Sequence, residues 1–393
     1  MRAKRGFGSA PLRGRRVLVR VDFNVPLDGH GGIADDRRVT EALPTLEHLR
    51  TAGARAIVMS HLGRPNGQRD MRFSLRPVAR RLSSLLGTPV PLAEDAVGMP
   101  ALQAIARLGN GDAVLLENLR FHAGEEANDP GFVAQLSQLG ELFIEDAFGA
   151  VHRAHASTVG VPRHLPSFAG LLVERELRGL APLVDGPPKP YVVVVGGAKV
   201  ADKLPLLSSF LDRADRLLIG GALAFPFLRA RGAQLGATPV ESGVDSAVDE
   251  FLHRAGASGT QVLLPTDLVV ERPGTPDGAV VPADRLPPDA LARDIGPASR
   301  AAFSAALEGS KTVFWNGPLG LAEDPRFSAG TSEVLRRLGS VPGYHVAAGG
   351  DSARVAEALG VIGSFGFVST GGGAALEFVQ GLDLPGLAVL PDA

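Results

Sequence analysis

The chain has 393 residues, more than the roughly 250–300 residues at which one hydrophobic core stops growing, so we expect two domains. With 45% hydrophobic and 21% charged residues and a net charge of -2, its composition is that of an ordinary globular protein and disfavours nonspecific nucleic-acid binding. The absence of cysteine excludes disulfides, cysteine nucleophiles and thiolate metal sites.

The apolar runs, of which Tyr191–Val195 is typical, are far shorter than the roughly 20 residues that a membrane-spanning helix needs. The N-terminal segment is basic, but no apolar stretch of a signal peptide follows it. We therefore expect a cytoplasmic protein that binds neither membranes nor nucleic acid.

Short runs rich in β-branched residues alternate with helical patterns along the chain. Most runs are apolar throughout, as are strands buried on both faces of a parallel sheet. We predict strands at residues 16–23, 54–60, 112–118, 141–147, 191–197, 216–221, 261–270, 311–317, 344–350 and 366–370. The repeated βαβ pattern predicts an α/β fold with two doubly wound, Rossmann-like parallel sheets, whose ligands lie beyond the carboxyl ends of the strands.

A helical pattern from Ser167 to Leu183, followed by the Pro-rich segment 185–190, marks the predicted junction between the domains. We expect the domains to be joined by this helix and separated by a cleft. The predicted parts are an N-terminal domain at 1–168, a hinge helix and linker at 169–190, a C-terminal domain at 191–375, and a tail at 376–393 that packs back on the N-terminal domain.

The end of the first predicted strand carries Arg20, Asp22 and Asn24, which period-2 geometry places on one face. An acid and an amide there can hold substrate hydroxyls, although a simple pair between Asp22 and Arg20 is an equally good interpretation. Basic residues also follow the next strands. Four arginines are candidates for one crevice: Arg38, Arg64, Arg120 and Arg153.

Arginine forks bind carboxylate and phosphate groups bidentately, so the four arginines predict a pocket for a small polyanion. Three histidines, His61, His152 and His155, lie in the same strand-end segments. They have no companion carboxylate at a metal-binding spacing, and we prefer anion contacts or structural roles for them.

Glycines cluster at the predicted strand ends of the second half, where they let backbone amides reach phosphates at helix N-termini. The clusters begin at Gly196, Gly220, Gly317, Gly349 and Gly371. Neither a G-x-x-x-x-G-K-[ST] loop nor a well-placed G-x-G-x-x-G is present, which argues against P-loop NTPases and dinucleotide dehydrogenases.

Lys199 and Lys203 follow the first of these clusters and share one face of a predicted helix. Only five of the 40 basic residues are lysine. A flexible ammonium can follow a phosphoryl group as it moves, so the pair favours phosphoryl transfer. Asp351, beside glycines at a strand end, is the expected Mg²⁺ ligand, and an N-cap role is compatible with it.

Eight motifs, in chain order, resemble those of the phosphoglycerate kinase family over nearly the whole chain. They are Arg-Val-Asp-Phe-Asn-Val-Pro, His-Leu-Gly-Arg-Pro, Glu-Asn-Leu-Arg-Phe, Asp-Ala-Phe-Gly, His-Arg-Ala-His, Gly-Gly-Ala-Lys-Val, Trp-Asn-Gly-Pro and Ser-Thr-Gly-Gly-Gly. The resemblance implies a monomeric enzyme of glycolysis and gluconeogenesis that transfers a phosphoryl group reversibly between MgATP and 3-phosphoglycerate, giving 1,3-bisphosphoglycerate and MgADP.

The resemblance also implies a role for each matching residue. Arg38 and Lys199 would be catalytic, and 3-phosphoglycerate would be held by Asp22, Asn24, Arg38, His61, Arg64, Arg120 and Arg153. The nucleotide would contact Gly197, Lys203, Gly220, Gly221, Asn316, Pro318, Glu323, Gly349, Gly350, Asp351 and Ser352, with Glu323 on the ribose and Asp351 on Mg²⁺. Backbone amides of Gly371, Gly372 and Gly373 would face the transition state.

The chain departs from the family pattern at Ala222, Ala322, Ala348 and Phe367, all on the nucleotide side. These departures leave the nucleotide preference open. Two other functions stay open from the residues themselves: a kinase for a different small carboxylate, and a nucleotide-binding protein without turnover. Retention of Arg38, Lys199 and Asp351 disfavours the latter.

Overall fold

The structure is a computed structural model that describes residues 3–393, apart from the side chains of Pro276 and Asp351. The chain divides into two compact units. Unit 1 runs to Arg178 and also includes Asp383–Ala393, and unit 2 is Gly179–Leu382.

Unit 1 is built on a five-stranded parallel sheet of order β3-β2-β1-β4-β5. Its strands are β1 (Arg16–Val21), β2 (Arg55–Met59), β3 (Ala113–Leu115), β4 (Leu142–Asp146) and β5 (Ser167–Ala169). Because all side chains of β4 and nearly all of β1 are buried, these central strands are mostly apolar in the sequence, with charged residues near their carboxyl ends.

Helices of unit 1 cover this sheet, and one core cluster joins Val17 and Val19 of the first strand to Leu49 and Val78 from two of these helices. The helices are α1 (Arg37–Glu41), α2 (Leu43–Thr51), α3 (Arg76–Leu86), α4 (Gly98–Ala106), α5 (Ala123–Glu126), α6 (Pro130–Ser137) and α7 (Leu171–Leu180). The last two residues of α7 fall in unit 2.

The single helix predicted from Ser167 to Leu183 is wrong at its start. Ser167–Ala169 forms β5 on the free edge of β4, and α7 begins only at Leu171. Gly170 makes this change of direction possible, because a Cβ atom there would lie 2.2 Å from Asp146 Oδ1. That same oxygen accepts the N–H of Leu172 at 2.8 Å and so fixes the first turn of α7.

Unit 2 contains two sheets. Its strands are β6 (Tyr191–Val195), β7 (Arg216–Ile219), β8 (Gln261–Leu263), β9 (Asp267–Arg272), β10 (Thr275–Pro282), β11 (Leu291–Ile295), β12 (Thr312–Asn316), β13 (Tyr344–Ala348) and β14 (Phe367–Ser369). Six of them form a parallel sheet of order β14-β13-β12-β6-β7-β8, and the other three form an antiparallel sheet of order β10-β9-β11.

The one strand predicted at 261–270 is two strands, β8 and β9, which belong to different sheets. Pro265 lies in the break and has no N–H to donate to a ladder. Ser299 holds the far side of the break, where its hydroxyl accepts the N–H groups of Thr266 and Asp267. The antiparallel sheet was not predicted as a whole, because its strands are only partly buried and lack the continuous apolar pattern.

The helices of unit 2 are α8 (Val200–Phe210), α9 (Ala224–Ala230), α10 (Asp245–Ser258), α11 (Pro297–Leu307), α12 (Ala329–Gly339), α13 (Gly350–Ala358) and α14 (Gly373–Val379). A core cluster packs Val194 and Trp315 of the parallel sheet against Phe303 of α11 and Leu335 of α12. Trp315 is fully buried, and its indole N–H donates to the carbonyl of Gly317 at 2.9 Å.

The C-terminal segment of the chain, with α15 (Pro385–Ala388), returns to unit 1. Lys4 Nζ lies 2.9 Å from Asp392 Oδ1, and the N–H of Gly386 donates to the carbonyl of Val151 at 2.8 Å. No helix in the described part of the chain has the length and apolar character needed to cross a lipid bilayer.

Candidate active site

Asp22 and Arg38 form the first pair of the candidate site in unit 1. Asp22 follows β1, and its Oδ2 atom accepts a hydrogen bond from Nη1 of Arg38, which lies on α1. Its Oδ1 atom accepts the N–H of Asn24 at 3.2 Å. The Asp22 side chain is 8% exposed and that of Arg38 is 35% exposed. The pair therefore fixes the carboxylate while part of the guanidinium stays accessible to a ligand.

The loop after β2 is tied to the ends of two neighbouring strands. The N–H of Gly63 donates to Asn24 Oδ1 at 2.9 Å, and its carbonyl accepts from Arg120 Nη1 at 2.7 Å. Gly63 has a φ of 63°, in the left-handed region that favours glycine. Arg64, the next residue, is exposed. The strand-end residues Asn24, Arg64 and Arg120 are thus brought together through the main chain of Gly63.

Arg120 is an arginine with almost no solvent access, since it is only 2% exposed. Its Nε atom lies 3.1 Å from Oε1 of Glu126, which is its nearest acid partner. Burial lowers the pKa of Arg120 to about 10; Glu126 opposes this effect and Arg153 adds to it. A guanidinium held in this way is preorganised for an anion, because its desolvation has already been met in the folded chain.

The charges of four arginines from different elements act on His61, and one of them, Arg20, contacts its ring. Burial lowers the pKa of His61 well below its usual value, and the charges of Arg20, Arg120, Arg153 and Arg38 lower it further. Three predicted site arginines, Arg38, Arg120 and Arg153, are therefore near the uncharged imidazole of His61, a fourth predicted residue. This is the convergence that the strand-end rule predicts for parallel sheets.

Arg153 and two histidines complete the group in unit 1. Arg153 Nε donates to His152 Nε2 at 3.2 Å, and His155 Nδ1 lies 3.9 Å from Glu125 Oε1. Burial lowers the pKa of His155 to about 4, with Arg120 acting in the same direction. Among the described residues there is no group of three or more histidine, aspartate or glutamate side chains that can hold a metal ion.

Sequence reasoning assigned no site role to two buried polar residues, Arg20 and Asn118. Arg20 does not pair with Asp22 but contacts Ser157 and His61, because β1 ends at Val21 and the strand's alternation does not continue beyond it. Asn118 is fully buried; its side chain bonds both the N–H and the carbonyl of Leu62. A polar residue inside an otherwise apolar strand-end segment was the available signal for both.

In unit 2, three strand-end loops pack main chain against main chain. Gly197 N–H donates to the carbonyl of Pro318 at 2.8 Å, Gly220 N–H to Val195, and Gly221 N–H to Leu319. In this structure the N–H groups of these three glycines donate to main-chain carbonyls, and their contact with a nucleotide stays a prediction. Position 221 requires glycine for this close approach of two loops, since a Cβ on Gly221 would lie 2.9 Å from the carbonyl oxygen of Pro318.

Asn316 joins Lys203 to the end of β13. Its Oδ1 atom accepts from Lys203 Nζ, and its Nδ2 donates to the carbonyl of Ala348 at 2.7 Å. Burial lowers the pKa of Lys203, and neighbouring Asp202 partly opposes that effect. Next to this group, Ser352 Oγ accepts the N–H of Gly317 at 2.7 Å. Three predicted residues, Lys203, Asn316 and Ser352, are thus held at adjacent strand ends.

Lys199 lies at the N-cap position of α8 and is exposed. The first amides of this helix are not free, because Glu241 accepts the N–H groups of Val200 and Ala201. Glu241 was not predicted as part of the site, and it lies outside every predicted motif. It neutralises the positive end of the helix and leaves the ammonium of Lys199 as the available cation there.

Two further helices of unit 2 begin at predicted glycines. Gly349, with a φ of 96°, is the N-cap residue of α13, and Gly372, with a φ of 55°, is the N-cap residue of α14. Gly350 and Gly373 are the first residues of these helices. The N–H of Gly371 donates to Ser369 Oγ at 3.2 Å. The side chain of Asp351, the predicted Mg²⁺ ligand, lies outside the described residues.

A cavity of about 900 Å³ opens in unit 2 beside these loops. Gly197, Gly221, Pro318 and Glu323, all predicted nucleotide residues, line it. Its size and its mixture of glycine, apolar and charged lining are typical of a site for a molecule as large as a nucleotide.

Comparison with known proteins identifies the family. The family model described as phosphoglycerate kinase matches residues 8–382. Phosphoglycerate kinase from Moorella thermoacetica is 46% identical over 383 residues, with 97% of each chain covered, and that from Clavibacter sepedonicus is 49% identical over 391 residues, with 96% of each covered. The chain belongs to the phosphoglycerate kinase family.

Solved structures agree with this assignment. The phosphoglycerate kinase of Coxiella burnetii matches with a TM-score of 0.87 and 34% identity, and that of Pyrococcus horikoshii with 0.86 and 30%; each match covers 98% of both chains. The predicted family, the α/β fold class with parallel sheets, and the class of enzyme, a phosphotransferase with a carboxylate acceptor, are confirmed.

The departures from the phosphoglycerate kinase pattern are not equivalent in the structure. Ala222 and Ala322 line the 900 Å³ cavity, together with the side chains of Arg293 and Arg354. Phe367 instead packs against α7, where a Cβ on Gly179 would lie 2.3 Å from its ring. The first two departures therefore shape the cavity directly, whereas the last is a packing contact within unit 2.

Proposed function

We propose that the chain catalyses reversible phosphoryl transfer between MgATP and the carboxylate of 3-phosphoglycerate. The observation that carries the proposal is the group of guanidiniums around His61, next to the acid and amide of Asp22 and Asn24. A ligand with two anionic groups and a hydroxyl between them matches that set of donors and acceptors.

On the substrate side, Arg64, Arg120 and Arg153 would bind the phosphate, because planar forks suit its oxygens. Asp22 and Asn24 would hold the hydroxyl group. Arg38 would neutralise charge on the reacting carboxylate and on the group in transfer. Its partial exposure beside Asp22 leaves it free to make that contact.

On the nucleotide side, Lys203 and Asn316 would hold the phosphates at the N-terminus of α13, and Glu323 would take the ribose within the cavity of unit 2. Mg²⁺ commonly binds through substrate phosphates and one or two carboxylates, with several waters retained. Asp351 would supply the protein carboxylate, and the ion would neutralise negative charge on the phosphates.

The chemistry requires positioning and charge neutralisation more than bond-making by the protein. The acceptor carboxylate is already ionised at neutral pH, so no general base is needed. Lys199 would follow the phosphoryl group from donor to acceptor, and the amides at Gly371, Gly372 and Gly373 would add hydrogen bonds to its oxygens. We place this activity in glycolysis and gluconeogenesis, in a cytoplasmic monomer.

The direct test is ADP formation from MgATP in the presence of one acid at a time: 3-phosphoglycerate, 2-phosphoglycerate or glycerate. We expect turnover with 3-phosphoglycerate and at least about a hundredfold lower kcat/KM with glycerate, which lacks the phosphate that the arginines bind. Turnover with another acid instead would identify a different carboxylate kinase. Nucleotide binding without turnover on any acid would overturn the proposal.

A further inference from the structure

Arg20 is a fully buried arginine that begins the first of the eight motifs and to which the mechanism above gives no role. It is 1% exposed, lies on β1 and has a partner for each of its three nitrogens. Nε donates to Ser157 Oγ at 2.8 Å, Nη1 donates to the carbonyl of Val21, and Nη2 lies 3.1 Å from His61 Nδ1. Such a guanidinium has one orientation only.

The contact with His61 determines which ring nitrogen carries hydrogen. A guanidinium has donors and no acceptor, so Nδ1 of His61 must accept the hydrogen bond. A neutral imidazole that accepts at Nδ1 carries its hydrogen on Nε2. Nε2 has no hydrogen-bond partner in residues 3–393 as described, and it is not among their fully buried unpaired atoms. The ring therefore presents an unused donor.

The guanidinium of Arg20 is held in turn by the buried Glu125 through the side chain of Ser157. Ser157 donates to Glu125 through both its hydroxyl, at 2.6 Å, and its backbone N–H, at 3.0 Å. Glu125 is completely buried. Glu145 also lies beside Arg20 in the register of β1 and β4. Glu125, Ser157, Arg20 and His61 thus form one hydrogen-bonded chain that ends at the candidate substrate site.

The backbone under His61 is equally constrained. Ser60 Oγ accepts the N–H of Phe23 at 2.8 Å and donates to the carbonyl of His61 at 3.2 Å. Asn118 bonds both main-chain groups of Leu62. With the main chain and Nδ1 both held, the direction of the Nε2–H bond is set by the fold.

We propose that Arg20 is a positioning residue that holds His61 as the neutral Nε2–H tautomer, so that the ring gives the anionic substrate a directed hydrogen-bond donor. This inference rests on the proposed function only in placing the substrate at His61; the tautomer itself does not depend on it. A neutral donor adds a hydrogen bond without adding one more positive charge to the surrounding arginines.

The positive charges near His61 also favour its neutral form, because they lower the pKa of the imidazole. The charges of four arginines from separate elements act on His61: Arg20 on β1, Arg38 on α1, Arg120 in the turn after β3 and Arg153 in the turn after β4. Burial lowers the pKa of His61 first, and each of these charges lowers it further. The imidazole therefore stays neutral across the physiological range.

Nuclear magnetic resonance of ¹⁵N-histidine-labelled full-length protein tests the tautomer without any substrate. The His61 signals are assigned by their loss in His61→Gln. We expect a protonated Nε2, an unprotonated Nδ1 and no titration near neutral pH. A protonated Nδ1, or a doubly protonated ring at neutral pH, would overturn the inference.

Arg20→Met tests the positioning role by the same spectra. Removing the guanidinium removes both the bond to Nδ1 and one of the four charges, so we expect a higher His61 pKa and KM for 3-phosphoglycerate raised about tenfold, with KM for MgATP unchanged. Unaltered His61 signals together with unaltered KM would contradict the proposal. Circular dichroism and thermal unfolding establish that the variant is folded.

A matched pair at His61 keeps the test decisive if Arg20→Met does not fold. Glutamine can place an amide N–H near the position of Nε2, whereas the shorter asparagine places its amide near Nδ1. We expect both variants to raise KM for 3-phosphoglycerate, and His61→Asn to raise it at least about threefold more than His61→Gln. Equal losses in the two variants would overturn the assignment of the donor. Activity of the wild type on 3-phosphoglycerate, measured alongside, reports separately on the proposed function.

Discussion

Replacement of Gly149 by alanine tests whether the Asp22 carboxylate must stay where the fold holds it. A Cβ atom on Gly149 would lie 2.4 Å from Asp22 Oδ2 and 3.6 Å from Arg38 Nη1. Gly149 is not among the glycines with positive φ, so alanine meets no backbone strain there and acts through this collision alone. The carboxylate has to move, and the hydrogen bond from Arg38 is the contact that it loses.

The expected size of the effect follows from that geometry. Overpacking of a well-packed site costs about 1–3 kcal/mol of stability. Loss of one hydrogen bond between charged groups corresponds to about 1.5–3 kcal/mol, so we expect KM for 3-phosphoglycerate to rise about 10- to 100-fold. KM for MgATP is expected to stay unchanged, because Gly149, Asp22 and Arg38 all belong to unit 1.

Steady-state kinetics with each substrate varied in turn, together with urea unfolding, measures both effects. Gly8→Ala is the matched control, since a Cβ atom on Gly8 would meet nothing within 4 Å. If Gly149→Ala kept the wild-type KM for 3-phosphoglycerate and lost stability as expected, Asp22 would have no role in binding. Equal increases in both KM values would show that the substitution acts through the whole fold.

Four other outcomes are expected. Lys199→Ala should lower kcat by roughly 10²–10³ with little change in either KM, because an exposed ammonium that follows the phosphoryl group acts mainly in the transition state. A near-normal kcat in this variant would refute the role of Lys199. Arg64→Ala should raise KM for 3-phosphoglycerate about tenfold and leave KM for MgATP unchanged, whereas exposed Arg80→Ala, outside the site, should change neither. If the segment 169–190 is a hinge, the radius of gyration from X-ray scattering should fall when 3-phosphoglycerate and a nonhydrolysable MgATP analogue are both present, and an unchanged value would refute closure. Burial raises the pKa of Asp146 to about 7, so the native state holds a proton that the unfolded chain releases near pH 4. The free energy of unfolding, measured by urea titration, should therefore fall as pH rises from about 4 to about 7. Asp146→Asn should remove up to about 1.4 kcal/mol of that fall per pH unit.

The parallel sheets and the family could be predicted from the residues alone. Buried parallel strands are apolar along their whole length, so runs such as Tyr191–Val195 were recognisable locally. Their polar strand ends were equally visible, and parallel topology brings such ends to one edge of a sheet. The sequence failed where local pattern and tertiary pairing disagree: Ser167–Ala169 joins the free edge of β4 as a strand although it reads as the start of a helix.

The pairing of the side chains at these strand ends could not be predicted, because it depends on which segments meet in the folded chain. Arg20 is only two positions from Asp22 in sequence, yet Asp22 pairs with Arg38. The reason is that β1 ends at Val21, between Arg20 and Asp22. Arg20 instead contacts His61, a residue 41 positions away, and in unit 2 the N–H groups of Gly197, Gly220 and Gly221 donate to main-chain carbonyls of other segments. A hydrogen bond depends on distance and direction in the folded chain, and sequence periodicity fixes neither between segments that meet only after folding.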